Sequence, residues 1–392
     1  MYSRGLSLLS LVLAFAHLAI LAPFTSTKDK RSFVEQDGVN YTLFEHAATG
    51  ARVEFVTNSG ICETTAGVNQ YSGYLSVGDN MNMWFWFFEA RSNPATAPLA
   101  AWFNGGPGCS SMIGLFQENG PCHFVNDSSD PSLNPYSFNN NANMLYIDQP
   151  IGAGFSYGAD PVTSSTTAAP YAWKLLQAFY AQFPQYESRD FGIFTESYGG
   201  HYGPEFAYYI ERQNAAIQSG SLTGERINIV ALGINNGWYD PALQYQAYIK
   251  FAYKNTYRQL MSGSQFVPYM DAYIDDCLPA LELCANSDTD EACASARIVC
   301  DNGIYRPLSQ AVGFNVYDIR QLSTDTNPPS MEIAYLRDPA VMEAIGAKTM
   351  YQQCADAPYY AFLPSGDGAF PISLTVLHLT LALTSLLANT FI

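Results

Sequence analysis

Four continuous apolar segments, each followed by a loop that contains Gly, Pro or Asn, constrain the fold of this chain more than any other feature. They read PLAAWF, NMLYIDQ, FGIF and INIVALGI. Such runs are typical of central strands in a sheet whose two faces are both covered. A segment with helical spacing of apolar residues, AAPYAWKLLQAFYAQFPQY, lies between the second and the third. Strands that alternate with helices predict an α/β sheet, with functional loops at the carboxyl ends of the strands.

The segments on either side of this region predict two further parts. RVEFV, YSGYLSV and NMWFWFFEA are rich in β-branched and aromatic residues, which favours a strand meander. We expect residues 204–213 to form the helix that follows the FGIF strand. From about 240 to 327 the pattern is helical and contains four cysteines, so we interpret this stretch as an inserted lid held by disulfides.

The composition excludes two classes of protein. With 392 residues, 48% of them apolar, the chain can form one large domain with an insertion. Intrinsic disorder conflicts with the abundance of aromatic residues. A formal net charge of −17 and the lack of any Lys/Arg-rich stretch exclude a nucleic-acid partner. The sequence carries no indication of oligomeric state.

The first 22 residues predict a secretory signal peptide, because Arg4 precedes an apolar run that ends near Ala22. A signal anchor is the alternative, and residues 23–32 would then form a linker or propeptide. Eight cysteines without a CxxC pair favour disulfides in an exported protein. Sequons at Asn40 and Asn126 predict glycosylation. We therefore expect a secreted or vacuolar protein.

The apolar tail, residues 369–392, contains no charged side chain. It has the length of a transmembrane helix, so attachment to a membrane through residues 370–392 is one interpretation. A GPI signal is a second, although the polar spacer that precedes such a tail is almost absent. A third is a tail unrelated to the fold, produced by altered splicing or a shifted frame.

The stretch FGIFTESYGGHYGP predicts a strand-to-helix corner that could present Ser197 as a nucleophile. The consensus for such a corner is G-x-S-x-G, and this chain has Thr195 at the first position. We expect the β-branched threonine to suit the strand with tolerated strain at the turn. A second loop, WFNGGPGCSS, can bring backbone N–H groups close to a substrate carbonyl.

Long motifs around both loops resemble the serine carboxypeptidase family, and secreted fungal members in particular. These motifs are WFNGGPGCSS, ENGP, NMLYIDQPIGAGFSYG, ESYGGHYGPEFA and INNGWYDP, and the resemblance runs from about residue 30 to 368. It implies an α/β-hydrolase fold with an insertion in a domain spanning residues 33–368. It also implies release of C-terminal amino acids from peptides or proteins at acidic pH, without metal or cofactor.

The resemblance assigns roles to seven residues. Ser197 would be the nucleophile, Gly106 and Tyr198 would supply the oxyanion-hole N–H groups, and Asn104, Gly105, Glu118 and Glu196 would bind the substrate carboxylate. Two carboxyl groups can bind a third only if protons are shared among them, which raises their pKa values. We therefore expect a preference for acidic pH.

The resemblance also implies a disulfide between the cysteine of GPGCSS and a cysteine that precedes a Gly-Asp motif, here Cys109 and Cys354. The spacing of the lid cysteines suggests the nested pairs Cys277–Cys300 and Cys284–Cys293. Cys62 and Cys122 remain as the fourth pair.

The Asp and His of a catalytic triad are not found in this sequence. In α/β-hydrolases both follow the nucleophile, but the resemblance ends at about Gly368. The histidines are His17, His46, His123, His201 and His378, and none has the expected context. Loss of the base costs about a million-fold in turnover. We therefore expect the last strands of the sheet to be missing and the 392-residue polypeptide to be inactive and poorly stable.

Two further interpretations stay open. An acyltransferase could use the same acyl-enzyme chemistry with another acceptor. A non-catalytic peptide binder, tethered to a membrane, could keep the carboxylate-binding residues without a reactive Ser197.

Overall fold

The computed structural model describes residues 29–36, 38–45, 51–126, 128–310, 313–324 and 330–369. The predicted signal peptide, most of the predicted linker and the tail from residue 370 lie outside the described residues. So do His17, His46 and His378. Within the described ranges, no helix is both long enough and apolar enough to cross a bilayer.

The described residues contain twelve strands, ten of which form one mixed sheet. In chain order the strands are β1 (Lys30–Gln36), β2 (Val39–Glu45), β3 (Arg52–Thr57), β4 (Gln70–Gly78), β5 (Met81–Phe88), β6 (Leu99–Phe103), β7 (Cys122–His123), β8 (Ser132–Leu133), β9 (Asn143–Ile147), β10 (Tyr157–Gly158), β11 (Asp190–Glu196) and β12 (Asn228–Asn235). The sheet order is β1-β2-β3-β4-β5-β9-β6-β11-β12, with β10 beside β5. Strands β7 and β8 form a separate hairpin.

The sheet combines the two parts that the sequence predicts. Strands β1 to β5 form the antiparallel meander, and β5 pairs antiparallel with β9. The four apolar segments form β9, β6, β11 and β12, which are mutually parallel. One boundary differs from the prediction, because β1 begins at Lys30, inside the stretch predicted as linker or propeptide, where it pairs with β2.

Ten α-helices accompany the strands in the described residues. They are α1 (Ser165–Gln182), α2 (Gly199–Gln218), α3 (Pro241–Tyr253), α4 (Gly263–Ala272), α5 (Leu278–Ser287), α6 (Asp290–Cys300), α7 (Arg306–Gln310), α8 (Met331–Leu336), α9 (Pro339–Ile345) and α10 (Asp356–Phe362). Helices α3 to α7 form the predicted lid, which has a core of its own around Tyr245, Ile249 and the four lid cysteines.

The sheet is covered on both faces because adjacent residues of a strand point to opposite sides. Phe85 and Phe87 of β5 pack in a core with helices α1 and α2. Trp84 and Trp86 point the other way, into a second core that includes residues of α8 and α9. This layered arrangement holds the parallel strands rigidly, so the loops at their carboxyl ends have fixed positions.

Four disulfides join the described parts of the chain. They are Cys62–Cys122, Cys109–Cys354, Cys277–Cys300 and Cys284–Cys293. These are the pairs expected from the sequence. Both predicted glycosylation acceptors, Asn40 and Asn126, are exposed, and their glycosylation stays a prediction.

The corner between β11 and α2 accommodates the threonine that departs from the consensus. Thr195 is buried, and its hydroxyl donates a hydrogen bond of 2.9 Å to the carbonyl oxygen of Gly199. A Cβ atom on Gly199 would lie 2.4 Å from the Cβ of Thr195. The Thr195 side chain therefore occupies space that is free because residue 199, at the start of the helix, has no side chain. Thr195 fits the corner because residue 199 is a glycine.

Helix α2 begins earlier than the sequence predicts. Its first residue is Gly199, not Pro204, and its last is Gln218. Pro204 lies in the second turn, where its missing N–H removes a single helical hydrogen bond. The helix therefore starts two residues after Ser197, and its N-terminal turn faces the site.

This packing predicts that Gly199→Ala destabilises the protein by about 2 kcal/mol, because overpacking forces the side chain of Thr195 to move. In a Thr195→Gly background the same substitution is expected to cost less than about 0.5 kcal/mol, since the obstructing atoms are gone. Urea unfolding of the four proteins of this double-mutant cycle measures both costs.

Gly263→Ala is the control, because Gly263 is also the first residue of a helix but its Cβ would have no neighbour closer than 3.9 Å. An equal cost of Gly199→Ala in both backgrounds would contradict this account of the corner.

Candidate active site

Ser197 occupies a strained corner that the neighbouring strand holds in place. Its φ of 55° is in the left-handed region, which is uncommon for a residue with a side chain. The N–H of Ser197 donates to the carbonyl of Asn235 (3.1 Å), and its carbonyl accepts from the N–H of Trp238 (2.7 Å). Asn235 is the last residue of β12, and Trp238 lies in the loop that follows it. The serine is therefore raised above the sheet in the geometry of a nucleophile elbow.

The loop after β6, residues 104–111, approaches this corner so closely that only glycine fits. A Cβ on Gly105 would lie 2.4 Å from the backbone nitrogen of Tyr198. The next residue, Gly106, has a φ of 113° and lines the same cavity as Ser197 and Tyr198. Two backbone segments that could supply N–H donors thus meet beside the Ser197 side chain, as an oxyanion hole requires.

Asn104 is held so that its amide NH₂ group faces two carboxyl groups. Its Oδ1 accepts hydrogen bonds from the Trp102 indole (2.7 Å) and from the Gly114 N–H (3.0 Å), which are both obligate donors. The Nδ2 atom donates to Glu196 at 3.0 Å and lies 3.4 Å from Glu118 Oε1. The structure therefore brings together the three side chains that the resemblance assigns to carboxylate binding.

The pair of carboxyl groups has unusual proton affinity. Burial, followed by the charge of Glu196, raises the pKa of Glu118 to about 7, although Asn104 opposes the shift. Glu118 is exposed as a residue, but its carboxyl group is directed at Asn104. Burial also raises the pKa of Glu196, and its hydrogen bond from Asn104 opposes this. Both groups bind protons more tightly than in an unfolded chain, so their contribution to stability decreases as pH rises above about 4.5, and for Glu118 the decrease extends to about pH 7.

A cavity of 260 Å³ opens in front of Ser197, and most of its wall comes from residues that the sequence analysis did not identify. They are Trp238, Tyr245, Tyr248, Arg297, Asp301, Tyr305 and Tyr359. Trp238 lies in the motif INNGWYDP, but the others are in the lid or after it. No local pattern marks these residues, because they meet Ser197 only through tertiary packing.

Inside the cavity wall, Asp301 links the lid helices. It accepts a hydrogen bond from the Tyr245 hydroxyl (2.7 Å), and its carboxylate lies 3.7 Å from Arg297 Nε. The Arg297 guanidinium also stands over the ring of Tyr359. The wall is therefore polar and aromatic, and its charges are internally paired.

The two described histidines, His123 and His201, are not placed to activate the serine. His123 lies in β7, on the small hairpin. His201 is buried in α2, where its ring stacks on that of Tyr198 at 5.1 Å, and burial lowers its pKa. Within the described residues, Ser197 forms hydrogen bonds only through its backbone. The same residues contain no group of three or more His, Cys, Asp or Glu side chains that could hold a metal.

Comparisons with known proteins identify the relatives of this chain. The sequence profile of the serine carboxypeptidase family matches residues 60–365. Carboxypeptidase S1 of Penicillium janthinellum is 66% identical over 313 residues, which cover 80% of this chain and 74% of that protein. Carboxypeptidase Y of Schizosaccharomyces pombe is 38% identical over 310 residues, 76% of this chain and 31% of that protein.

A solved structure shows the same fold. It is that of Kex1(Δ)p, a prohormone-processing carboxypeptidase from Saccharomyces cerevisiae, with a TM-score of 0.68 and 23% identity. The match covers 83% of this chain and 73% of that one. The profile match, the sequence identities and the shared fold agree with the motifs and the geometry around Ser197: the chain belongs to the serine carboxypeptidase family and has its α/β-hydrolase fold.

Proposed function

We propose that this site is that of a serine-type carboxypeptidase, which releases C-terminal amino acids from peptides at acidic pH through an acyl-enzyme on Ser197. Asn104, Glu118 and Glu196, with the backbone of Gly105, bind the terminal carboxylate. In the acyl-enzyme step the Ser197 oxygen bonds to the scissile carbonyl carbon, and the C–N bond breaks. The hydroxyl proton passes through a general base to the leaving amine.

One observation carries the carboxylate assignment. The two obligate donors on Asn104 Oδ1 fix the orientation of the amide, so its NH₂ group points at Glu118 and Glu196. An amide donor between two carboxyl groups of high proton affinity offers up to three hydrogen-bond donors to a third carboxylate. A C-terminal carboxylate, which every peptide substrate of a carboxypeptidase presents, is the ligand that fits this arrangement.

The oxyanion hole follows from the position of the bound peptide. A peptide anchored by its last carboxylate places its last amide bond next to the anchor, where Ser197 stands. The N–H groups of Gly106 and Tyr198 would then donate to the carbonyl oxygen as it acquires negative charge. Removal of one such donor in a serine protease costs about 10²–10³ in turnover.

A non-catalytic peptide binder is the second candidate function. The observation in its favour is that, within the described residues, Ser197 has only backbone hydrogen bonds. The carboxylate-binding residues are complete without a reactive serine, so such a protein would retain affinity for peptide C-termini. The two candidates differ in turnover and not in binding.

A binding and turnover experiment separates them. We expect the 392-residue chain to bind N-acetyl-Phe-Leu in preference to its C-terminal amide at pH 5, as measured by calorimetry. Because no histidine of the sequence has the context expected of a triad base, we expect hydrolysis about a million-fold slower than with an intact triad. Binding that does not distinguish acid from amide would contradict the carboxylate assignment.

Labelling by a fluorophosphonate probe at pH 5 tests the nucleophile. Labelling that Ser197→Ala abolishes, together with hydrolysis, would confirm the acyl-enzyme and overturn the prediction that the 392-residue chain is inactive. Selective binding of the acid without labelling would favour the non-catalytic binder.

Binding of the peptide acid should also depend on pH in a defined direction. Glu118 is largely protonated below its pKa of about 7 and can then donate to the ligand carboxylate. Above that pH it ionises and repels the ligand, so we expect the dissociation constant to increase about tenfold or more between pH 5 and pH 8. Calorimetry at both pH values measures the change.

Glu118→Gln is the informative variant, because its amide donates at every pH. It should bind the acid at pH 8 more tightly than the original chain and lose most of the pH dependence of binding. The small dependence that remains comes from Glu196. The peptide amide, which carries no charge at its C-terminus, is the control ligand. An unchanged pH dependence in Glu118→Gln would contradict the role of Glu118.

A further inference from the structure

We infer that Asp148 is a positioning residue for this site: its buried carboxylate fixes the loop of residues 104–111 on the sheet. Asn104, which binds the substrate carboxylate, and Gly106, which faces Ser197, both depend on that loop. The inference rests on the proposed function for what the loop does. The anchoring itself is visible in the geometry.

The carboxylate of Asp148 joins three parts of the chain. Asp148 directly follows β9, which is next to β6 in the sheet. Its Oδ1 accepts hydrogen bonds from the Ser110 hydroxyl (2.6 Å) and the Ser111 N–H (2.8 Å), both in the loop. Its Oδ2 accepts from the N–H of Phe155 (2.9 Å), in the segment that returns from β9.

Ser111, whose N–H is bound by Asp148, also contacts Asn104, the residue proposed to bind the substrate. The hydroxyl of Ser111 accepts from the N–H of Asn104 (3.2 Å) and donates to the carbonyl of Ile147. The loop is thereby closed on itself, with its first residue tied to its last, and the closed loop is tied to the end of β9. A shift of Ser111 would move Asn104 directly.

The loop is also fixed by the segment around Cys354, which packs beside Asp148. The Ser110 N–H donates to the carbonyl of Gln353 (2.8 Å), beside the Cys109–Cys354 disulfide. Gln352 in turn exchanges hydrogen bonds with Gly154, the residue before Phe155. Asp148 thus lies at the junction of the loop, the returning segment and the disulfide-linked segment around Cys354.

Packing alone does not account for a carboxylate at this position. Asp148 is fully buried, and none of the ion pairs among the described residues includes it. Burial raises its pKa to about 6, while the three donors oppose the shift. A buried ionisable group without a cation is unfavourable unless its hydrogen bonds compensate. Two of its three donors, Ser110 and Ser111, belong to the loop, and the third, Phe155, belongs to the returning segment.

An asparagine cannot replace this carboxylate. Both oxygens accept from backbone N–H groups, Ser111 on one side and Phe155 on the other, and a backbone N–H cannot reverse its direction. Whichever way an amide turned, its NH₂ group would face one of these donors. Asp148→Asn therefore keeps the size of the side chain and removes one of the anchors.

Glu63→Gln is the matched control. Glu63 is also a buried carboxylate whose oxygens accept from a backbone N–H (Thr65), from Asn139 and from Arg91. None of these partners lies in the 104–111 loop. A general effect of losing a buried carboxylate would therefore occur in both variants, whereas an effect of loop position would occur only in Asp148→Asn.

The experiment compares three proteins: the 392-residue chain, Asp148→Asn and Glu63→Gln. Calorimetry at pH 7, where Asp148 with its pKa of about 6 is largely ionised and part of Glu118 is still protonated, measures the affinity of each for N-acetyl-Phe-Leu and for its C-terminal amide. We expect the preference for the acid to fall about tenfold in Asp148→Asn and to stay within twofold in Glu63→Gln. Hydrogen exchange of peptides covering residues 104–111 should increase in Asp148→Asn alone.

The outcomes separate the inference from the proposed function. If the original chain does not distinguish acid from amide, the proposed function fails and this inference fails with it. If the original chain and Asp148→Asn distinguish them equally, the inference alone is overturned. If Asp148→Asn does not fold, Ser110→Ala removes a single donor to Asp148, and an unchanged acid preference with unchanged exchange in the loop would overturn the inference.

Discussion

The close approach of Gly105 to the backbone of Tyr198 is the contact on which the rest of the site depends. A Cβ atom there would lie 2.4 Å from the Tyr198 nitrogen, so the two loops touch through their backbones. The contact requires β6 and β11 to be adjacent and parallel, because only then do both loops leave the same edge of the sheet. Everything else in the site, from the cavity in front of Ser197 to the carboxylate-binding side chains, is arranged around that junction.

Electrostatics explains why two acids and one amide suit the carboxylate binding that we propose for Asn104, Glu118 and Glu196. Two carboxyl groups beside an amide are unfavourable for a folded protein when both are ionised, and burial increases that cost. The same arrangement becomes favourable when a proton is shared with an incoming carboxylate. The electrostatic cost therefore appears at neutral pH and decreases in acid, where the proposed ligand would bind.

Most of the fold and part of the site could be predicted from the sequence. The α/β-hydrolase fold, the meander and the helical lid followed from apolar runs and from motifs of the serine carboxypeptidase family, and they were confirmed. The start of α2 was predicted five residues late because Pro204 is typical of a helix N-terminus. The assigned roles of Ser197, Asn104, Glu118 and Glu196 stay predictions, although the structure brings these residues together.

The cavity wall shows why the remainder of the site could not be predicted. Arg297, Asp301 and Tyr305 lie on lid helices whose sequence pattern indicates only burial and disulfides. They line one cavity with Ser197 because the lid, which has a core of its own, packs beside the corner through contacts distant in sequence. The carboxylate anchor is built on the sheet and the cavity wall is built on the lid. Substitutions in the lid can therefore change which side chains fit in front of Ser197, while the proposed binding of the terminal carboxylate by Asn104 and its rigid partners stays the same.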